Sequence, residues 1–225
     1  MTEARPSTSE PAIRAPWPVL ALIAVLVASH AARVWLGAVD PEYFALTAAD
    51  LAAGRWHGLV THIFIHANWA HVLTNSVFVL AFGAPVARFL RTSAFGAAVF
   101  WLFFLTCGVL AGAGFAALAV ELTRVGLGSP DWALVGASGA ASGLMGAAAR
   151  LIDGRGRLGP LGGRAVVGMS ISWILVNVVL GVTGLTPGTA GAPVAWEAHI
   201  IGFFAGLLLI PVFARLAGVH AEMTP

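Results

Sequence analysis

The chain is 225 residues long, 59% hydrophobic and only 10% charged, with a mean hydropathy of +0.89. Soluble domains carry roughly 25% charged residues, so a soluble fold is excluded. All 12 basic residues are arginine, set against 10 acids for a net charge of +2. No basic cluster interleaves with aromatics, so the arginines read as membrane topology and not as a nucleic-acid surface. The single cysteine, Cys107, lies inside an apolar run and can close no internal disulfide.

The first 16 residues, MTEARPSTSEPAIRAP, are polar and Pro/Ser-rich and are expected to form a short disordered tail. No small-residue cleavage site follows a short apolar core, so no cleaved signal peptide is expected. Residues 17–217 read as one membrane domain and 218–225 as a short C-terminal tail.

A membrane helix needs about 20 apolar residues to cross about 30 Å of hydrocarbon. Six spans meet this description in chain order. The first runs from about Pro18 to Leu36. The second starts at Trp69, with Asn68 as its N-cap, and continues to about Ala87. The third lies within the uncharged run from Thr92 to Val120, the fourth between Trp132 and Leu151. The fifth runs from Ala165 to about Leu185, and the sixth from Ala195 to Ala214. Gly154 to Gly163 and Leu185 to Pro193 are rich in turn residues and read as loops. The fold class is therefore all-α and polytopic, a bundle of six transmembrane helices.

Arginine placement orients this bundle. With both termini cytoplasmic, Arg5, Arg14, Arg88, Arg91, Arg150, Arg155, Arg157, Arg164 and Arg215 are inside, and only Arg33, Arg55 and Arg124 are outside. Trp35, Tyr43, Trp56, Trp132 and Trp196 then cluster at the outer ends as an aromatic belt.

In that orientation the unusual polar residues converge on one depth. His62 and His66 precede the second span, and His71 and Asn75 lie within it, one turn apart on one face. Ser138 comes early in the fourth span and His199 early in the sixth. If the fourth helix starts at Trp132, Ser138 lies roughly 9 Å down; if it starts at Ser138, a descending loop supplies roughly 10 Å instead. Ionisable groups at such depth mark a function or a water-filled cavity. Gly139 and Gly143, and Ala198, Gly202 and Gly206, recur every four residues and permit close helix approach.

Serine needs an adjacent base to act as a nucleophile, and His199 is the best placed. An acyl-transfer site also needs oxyanion donors. The Ser138 backbone N–H supplies one, and His71 and Asn75 can supply side-chain donors. No buried Asp or Glu is available to orient His199, which gives a Ser–His dyad and not a triad. Bland readings stand beside this one. A serine among glycines is commonly packing material between membrane helices, and His199 can be an interhelical hydrogen bonder. His62 and His66 have zinc-like spacing, but Ile63 occupies the place of the base in an H-E-x-x-H site. No metal and no cofactor are expected. Ser142 reads as packing, and His30, His57 and His220 near the membrane surfaces need no special role.

Three separated motifs resemble the rhomboid family of intramembrane serine proteases over roughly Leu51 to Leu209. HIFIHANWAHVLTNSVFVLAFG resembles the family's H-x-x-x-x-H-x-x-x-N segment, as His66, His71 and Asn75. GASGAASGLMGA resembles the G-x-S-G serine motif and AHIIGFFAGLLL the A-H-x-x-G segment. The resemblance implies Ser138 as nucleophile in the turn Gly136 to Gly139, and His199 as general base. It implies His71 and Asn75 as oxyanion donors and His66 as a structural residue bracing the loop between the first and second helices, with Gly202 in a supporting place. It implies transmembrane segments of other proteins as substrates, cut near the outer face at small residues where a helix unwinds.

The chain departs from the family pattern at three places. Ser142 stands where an aromatic often stacks on the histidine, so His199 must be held otherwise. Trp56-His57-Gly58 stands for a usual Trp-Arg pair, and Ala87 for a frequent acid. A rhomboid-like protein that binds membrane helices without cleaving them is the alternative. A small transporter is disfavoured, since no inverted repeat and no carboxylate relay are present. The lysine-free, Ala/Gly/Arg-rich composition points to a bacterial plasma membrane.

Overall fold

The computed structural model describes residues 15–37, 40–183 and 195–219. Most of both expected tails, and all of the expected loop Leu185 to Pro193, lie outside the described residues. The first apolar span forms α1 (Trp17–Leu36), started by proline in its first turn and ended by Gly37 in the left-handed region at φ 59°. Three short helices follow: α2 (Pro41–Phe44), α3 (Ala48–Ala52) and α4 (Gly58–Thr61), the last running into a 3₁₀ turn at His62–Phe64. Arg55 pairs with Asp50 here and holds that carboxyl below the usual carboxylate range.

The second span is α5 (Trp69–Phe89), and the Asn68 side chain accepts the His71 N–H at 2.9 Å as the expected N-cap. The third is α6 (Ala94–Arg124), which outruns the expected limit at Val120. Its last turn is polar, and Arg124 donates to Glu121 at 2.7 Å, an i, i+3 pair that supports one more turn outside the apolar run. The fifth and sixth are α8 (Arg164–Thr183) and α9 (Trp196–Leu216).

The fourth span could start at either of two places by its sequence, and α7 (Ser138–Asp153) begins at the serine itself. Its 16 residues make a helix of about 24 Å, so residues 125–137 descend as a loop to meet it. This helix is the axis of the bundle: α5, α6, α8 and α9 all pack on it, and every residue from Gly139 to Leu151 is buried. A helix enclosed on all sides needs no lipid-facing apolar surface, which explains its small, weakly hydrophobic sequence. The other five long helices are apolar enough to cross a membrane. Their outward faces carry exposed Leu73, Val77, Ile171, Leu175, Val179, Leu208 and Val212, the surface that lipid covers. The chain is an integral membrane protein.

The core lies between α1, α5, α6, α7 and α9, with Leu22, Leu26, Phe100, Phe103, Phe104, Leu144 and Ile210 wholly buried. In contrast α8 is peripheral. Only Val166 and Asn177 on it are buried.

Candidate active site

The two glycine stripes expected to bring helices together do so. A Cβ placed on Gly202 would lie 2.1 Å from the Gly139 carbonyl oxygen, and one on Gly206 would lie 1.9 Å from that of Gly143. Backbone thus meets backbone between α7 and α9, a separation no larger residue permits. On these helices the Ser138 Oγ lies 2.8 Å from His199 Nε2, within hydrogen-bond reach. Both residues are half-buried.

The other ring nitrogen has a partner that no sequence motif announces. His199 Nδ1 lies 2.6 Å from Asn177 Oδ1 on α8. The Asn177 Nδ2 donates to the Trp173 carbonyl at 2.9 Å, which fixes the amide with its oxygen toward the imidazole. Nδ1–H therefore donates to Asn177, and the lone pair on Nε2 faces the serine hydroxyl. The Trp173 ring lies 6.1 Å from the His199 ring at 35°, and its Nε1 donates to the His199 carbonyl at 3.4 Å. An aromatic from α8 thus stands beside His199, while Ser142 is buried and donates to the Ser138 carbonyl at 2.7 Å. The histidine's partner is an amide and not one of the carboxylates that a triad would suggest. A lone amide in an otherwise apolar span is the sequence signal for it, since such a group needs an internal partner in lipid.

The serine approaches through a turn that requires glycine. Gly136 has φ 111°, and a Cβ there would meet His71 Nε2 at 2.7 Å and Asn75 Nδ2 at 3.4 Å. His71 and Asn75 therefore converge on the turn just before Ser138, as their shared helix face predicts. The His71 Nδ1 accepts the Ala67 N–H at the long distance of 3.5 Å, which leaves Nε2 protonated and directed at the turn. The Asn75 Nδ2 is buried and has no hydrogen-bond partner among the described residues. A buried amide donor left unpaired beside a serine is open to an acceptor.

The segment 134–137 is held from the α2–α5 region. Leu46 and Leu134 exchange two backbone hydrogen bonds, at 3.0 and 2.8 Å. Gly136 donates to the His62 carbonyl at 2.8 Å, and Ala137 donates to His66 Nε2 at 3.4 Å. His66 thus braces the serine turn itself, and Arg33 donates to its carbonyl at 2.9 Å. His62, despite its zinc-like spacing with His66, gives its Nδ1–H to the Gly58 carbonyl at 2.8 Å. No group of three metal-ligating side chains occurs among the described residues. His30, which needs no special role by its sequence, is buried with its ring edge-on to Trp69 at 4.7 Å and 6.4 Å from that of His66.

Two of the three departures from the family pattern also find places. His57 stacks on Tyr43 at 4.5 Å and meets the Tyr43 carbonyl at 2.7 Å, and a Cβ on Gly58 would fall 2.7 Å from the Ala45 carbonyl oxygen. Ala87 is wholly buried, a position that suits no acid without a partner. A cavity of about 400 Å³ lined by Pro85, Arg88, Phe89, Leu151, Ile152 and Gly156 lies at the opposite ends of α5 and α7 from His71 and Ser138. It is no part of this site.

Comparison with known proteins agrees with the fold. No curated protein matches the chain. The family model described as Rhomboid domain matches residues 53–216, which is well over half of the chain and spans α4 to α9. With its helical membrane bundle and a serine and histidine facing each other across α7 and α9, the chain belongs to the rhomboid family.

Proposed function

We propose that this protein is an intramembrane serine endopeptidase that hydrolyses peptide bonds in or near transmembrane segments of other membrane proteins. The observation that carries the reading is the 2.8 Å approach of Ser138 Oγ to His199 Nε2 between two helices packed backbone to backbone.

In this reading the Ser138 Oγ attacks the scissile carbonyl carbon while its proton passes to His199 Nε2, and the carbonyl π electrons move onto oxygen. The resulting oxyanion is met by donors already in place. Ser138 is the first residue of α7, where backbone N–H groups lack intrahelical acceptors and the helix dipole favours negative charge. Gly136 and Ala137 spend their N–H groups on His62 and His66, so the Ser138 N–H is the backbone donor. His71 Nε2–H and the unpaired Asn75 Nδ2 supply the side-chain donors. Collapse of the intermediate breaks the C–N bond, and the imidazolium gives its proton to the leaving nitrogen. Water, deprotonated by His199, then attacks the acyl-enzyme, and Oγ leaves and regains a proton.

A peptide bond inside a helix is hydrogen-bonded and shielded, so substrates are membrane segments with small residues that unwind near the outer face. The arginine distribution favours cytoplasmic termini, and the composition favours a bacterial plasma membrane.

The test is labelling of the detergent-purified protein with a fluorophosphonate probe beside Ser138→Ala, Ser142→Ala and His199→Ala. The expected outcome is labelling lost in Ser138→Ala and His199→Ala and kept in Ser142→Ala. A folded wild type that takes no label, and cleaves no membrane substrate in liposomes, favours a protein that binds membrane helices without cutting them.

A further inference from the structure

Rhomboid membership accounts for a serine and a histidine; it does not account for Asn177. This residue is wholly buried, yet α8 otherwise turns nearly all of its surface outward. An amide placed mid-span in an apolar helix is costly unless its polar atoms are paired. Both ends of this one are. Nδ2 is tied to the Trp173 carbonyl one turn back, and Oδ1 is the acceptor at 2.6 Å from His199 Nδ1. The Trp173 indole donates to the His199 carbonyl and lies beside the ring, so α8 holds the histidine at backbone and side chain together.

We propose that Asn177 is a positioning residue that locks His199 in its Nδ1–H tautomer and so completes a Ser138–His199–Asn177 relay. The inference rests on the hydrolase reading above. An imidazole without a fixed acceptor at Nδ1 divides between two tautomers, and the Nε2–H form cannot take the serine proton. Asn177 removes that form by offering only an acceptor to Nδ1. When Nε2 gains the proton from Ser138, Nδ1–H stays in place, and the amide oxygen stabilises the imidazolium through the bond it already makes. No proton moves to Asn177, whose amide is neutral throughout. The amide does for this chain what an aromatic one turn after the serine would otherwise help to do, since Ser142 there points back to the Ser138 carbonyl.

This placement has a structural corollary. Asn177 and Val166 are the only buried residues of α8, so the tautomer lock holds only while α8 is seated against α7 and α9.

The test combines nitrogen-15 NMR of histidine-labelled protein in detergent micelles with the rate of fluorophosphonate labelling. His199 is assigned by comparison with His199→Ala. Two variants are needed: Asn177→Leu, which keeps the volume and removes the acceptor, and Asn177→Asp, which keeps an acceptor oxygen. The wild type is expected to show His199 as the Nδ1–H tautomer. Asn177→Leu is expected to show a mixture and to label at least about tenfold more slowly, a part of the 10²–10⁴-fold that a positioned base contributes. Asn177→Asp is expected to restore the tautomer and most of the rate. A wild type in the Nε2–H form overturns the proposal without recourse to any variant, so failure of Asn177→Leu to fold does not protect it. Unchanged tautomer and rate in folded Asn177→Leu overturn it as well. A folded wild type that shows the Nδ1–H form but is not labelled overturns the hydrolase reading, and the relay with it.

Discussion

Gly202 of α9 faces the carbonyl oxygen of Gly139 on α7 so closely that a methyl group on it would lie 2.1 Å from that oxygen. Three residues along α9 from Gly202, and one residue along α7 from Gly139, stand His199 and Ser138. The contact that lets the helices touch therefore also sets the separation of the serine from its base.

Gly202→Val is expected to push α9 from α7 and lengthen the Ser138–His199 hydrogen bond beyond use. Overpacking of this kind costs about 1–3 kcal/mol of stability, and labelling of Ser138 is expected to fall by at least about 100-fold, toward the full contribution of a general base. Thermal unfolding in detergent and labelling rates measured side by side check both. Labelling retained at the wild-type rate would mean that the glycine contact does not set the catalytic distance.

Gly136→Ala is expected to be damaging for two separate reasons. Its φ of 111° is poorly open to an L side chain, and its Cβ would strike the His71 ring at 2.7 Å. Gly168→Ala serves as the control, since nothing lies within 4 Å of a Cβ there. Within α8 that change is expected to leave labelling intact and to raise stability by up to about 1 kcal/mol through helix propensity. Differential scanning fluorimetry of the two variants distinguishes them.

Asn75→Ala is expected to separate activity from stability. Loss of an oxyanion donor lowers kcat by about 10²–10³. The Asn75 Nδ2 has no partner in the resting protein, so no donor hydrogen bond is lost when it is removed. Cleavage of a membrane substrate in liposomes is expected to collapse while the unfolding midpoint shifts little. A fall in both together would mark Asn75 as structural.

His66→Ala is expected to act through the serine turn. The Ala137 N–H loses its acceptor and is left buried without a partner, at a cost of about 1–3 kcal/mol. Both the unfolding midpoint and the labelling rate are expected to fall, and His66→Gln, which offers an amide oxygen, is expected to recover part of each. Equal losses in Ala and Gln variants would show that the ring's packing against His30 and His71 matters and the hydrogen bond does not.

Much of this molecule is legible in its amino-acid sequence. Hydropathy locates five of the long helices closely, because a span in lipid must be long, apolar and internally hydrogen-bonded. The Asn68 cap and the four-residue spacing of His71 and Asn75 and of the glycines are local signals, since one helical turn decides which side chains share a face. The start of α7 is not local. Residues 130–137 are kept out of helix by bonds to Leu46, Ala49, His62 and His66, residues more than 65 positions earlier in the chain.

The partners of His199 divide in the same way. Its pairing with Ser138 follows from two spaced motifs and a shared depth, information that the sequence carries by itself. Asn177 carries no motif, and its role depends on which face α8 turns toward α7 and α9. Rotation of an apolar helix is set by packing against its neighbours and not by its own hydropathy. Composition thus determined that this chain spans a membrane, and a shared depth together with the resemblance to rhomboid motifs pointed to the serine and histidine that meet. Only the tertiary structure decided that the serine begins its helix, that distant residues brace its turn, and that an amide from the least buried of the long helices holds the histidine.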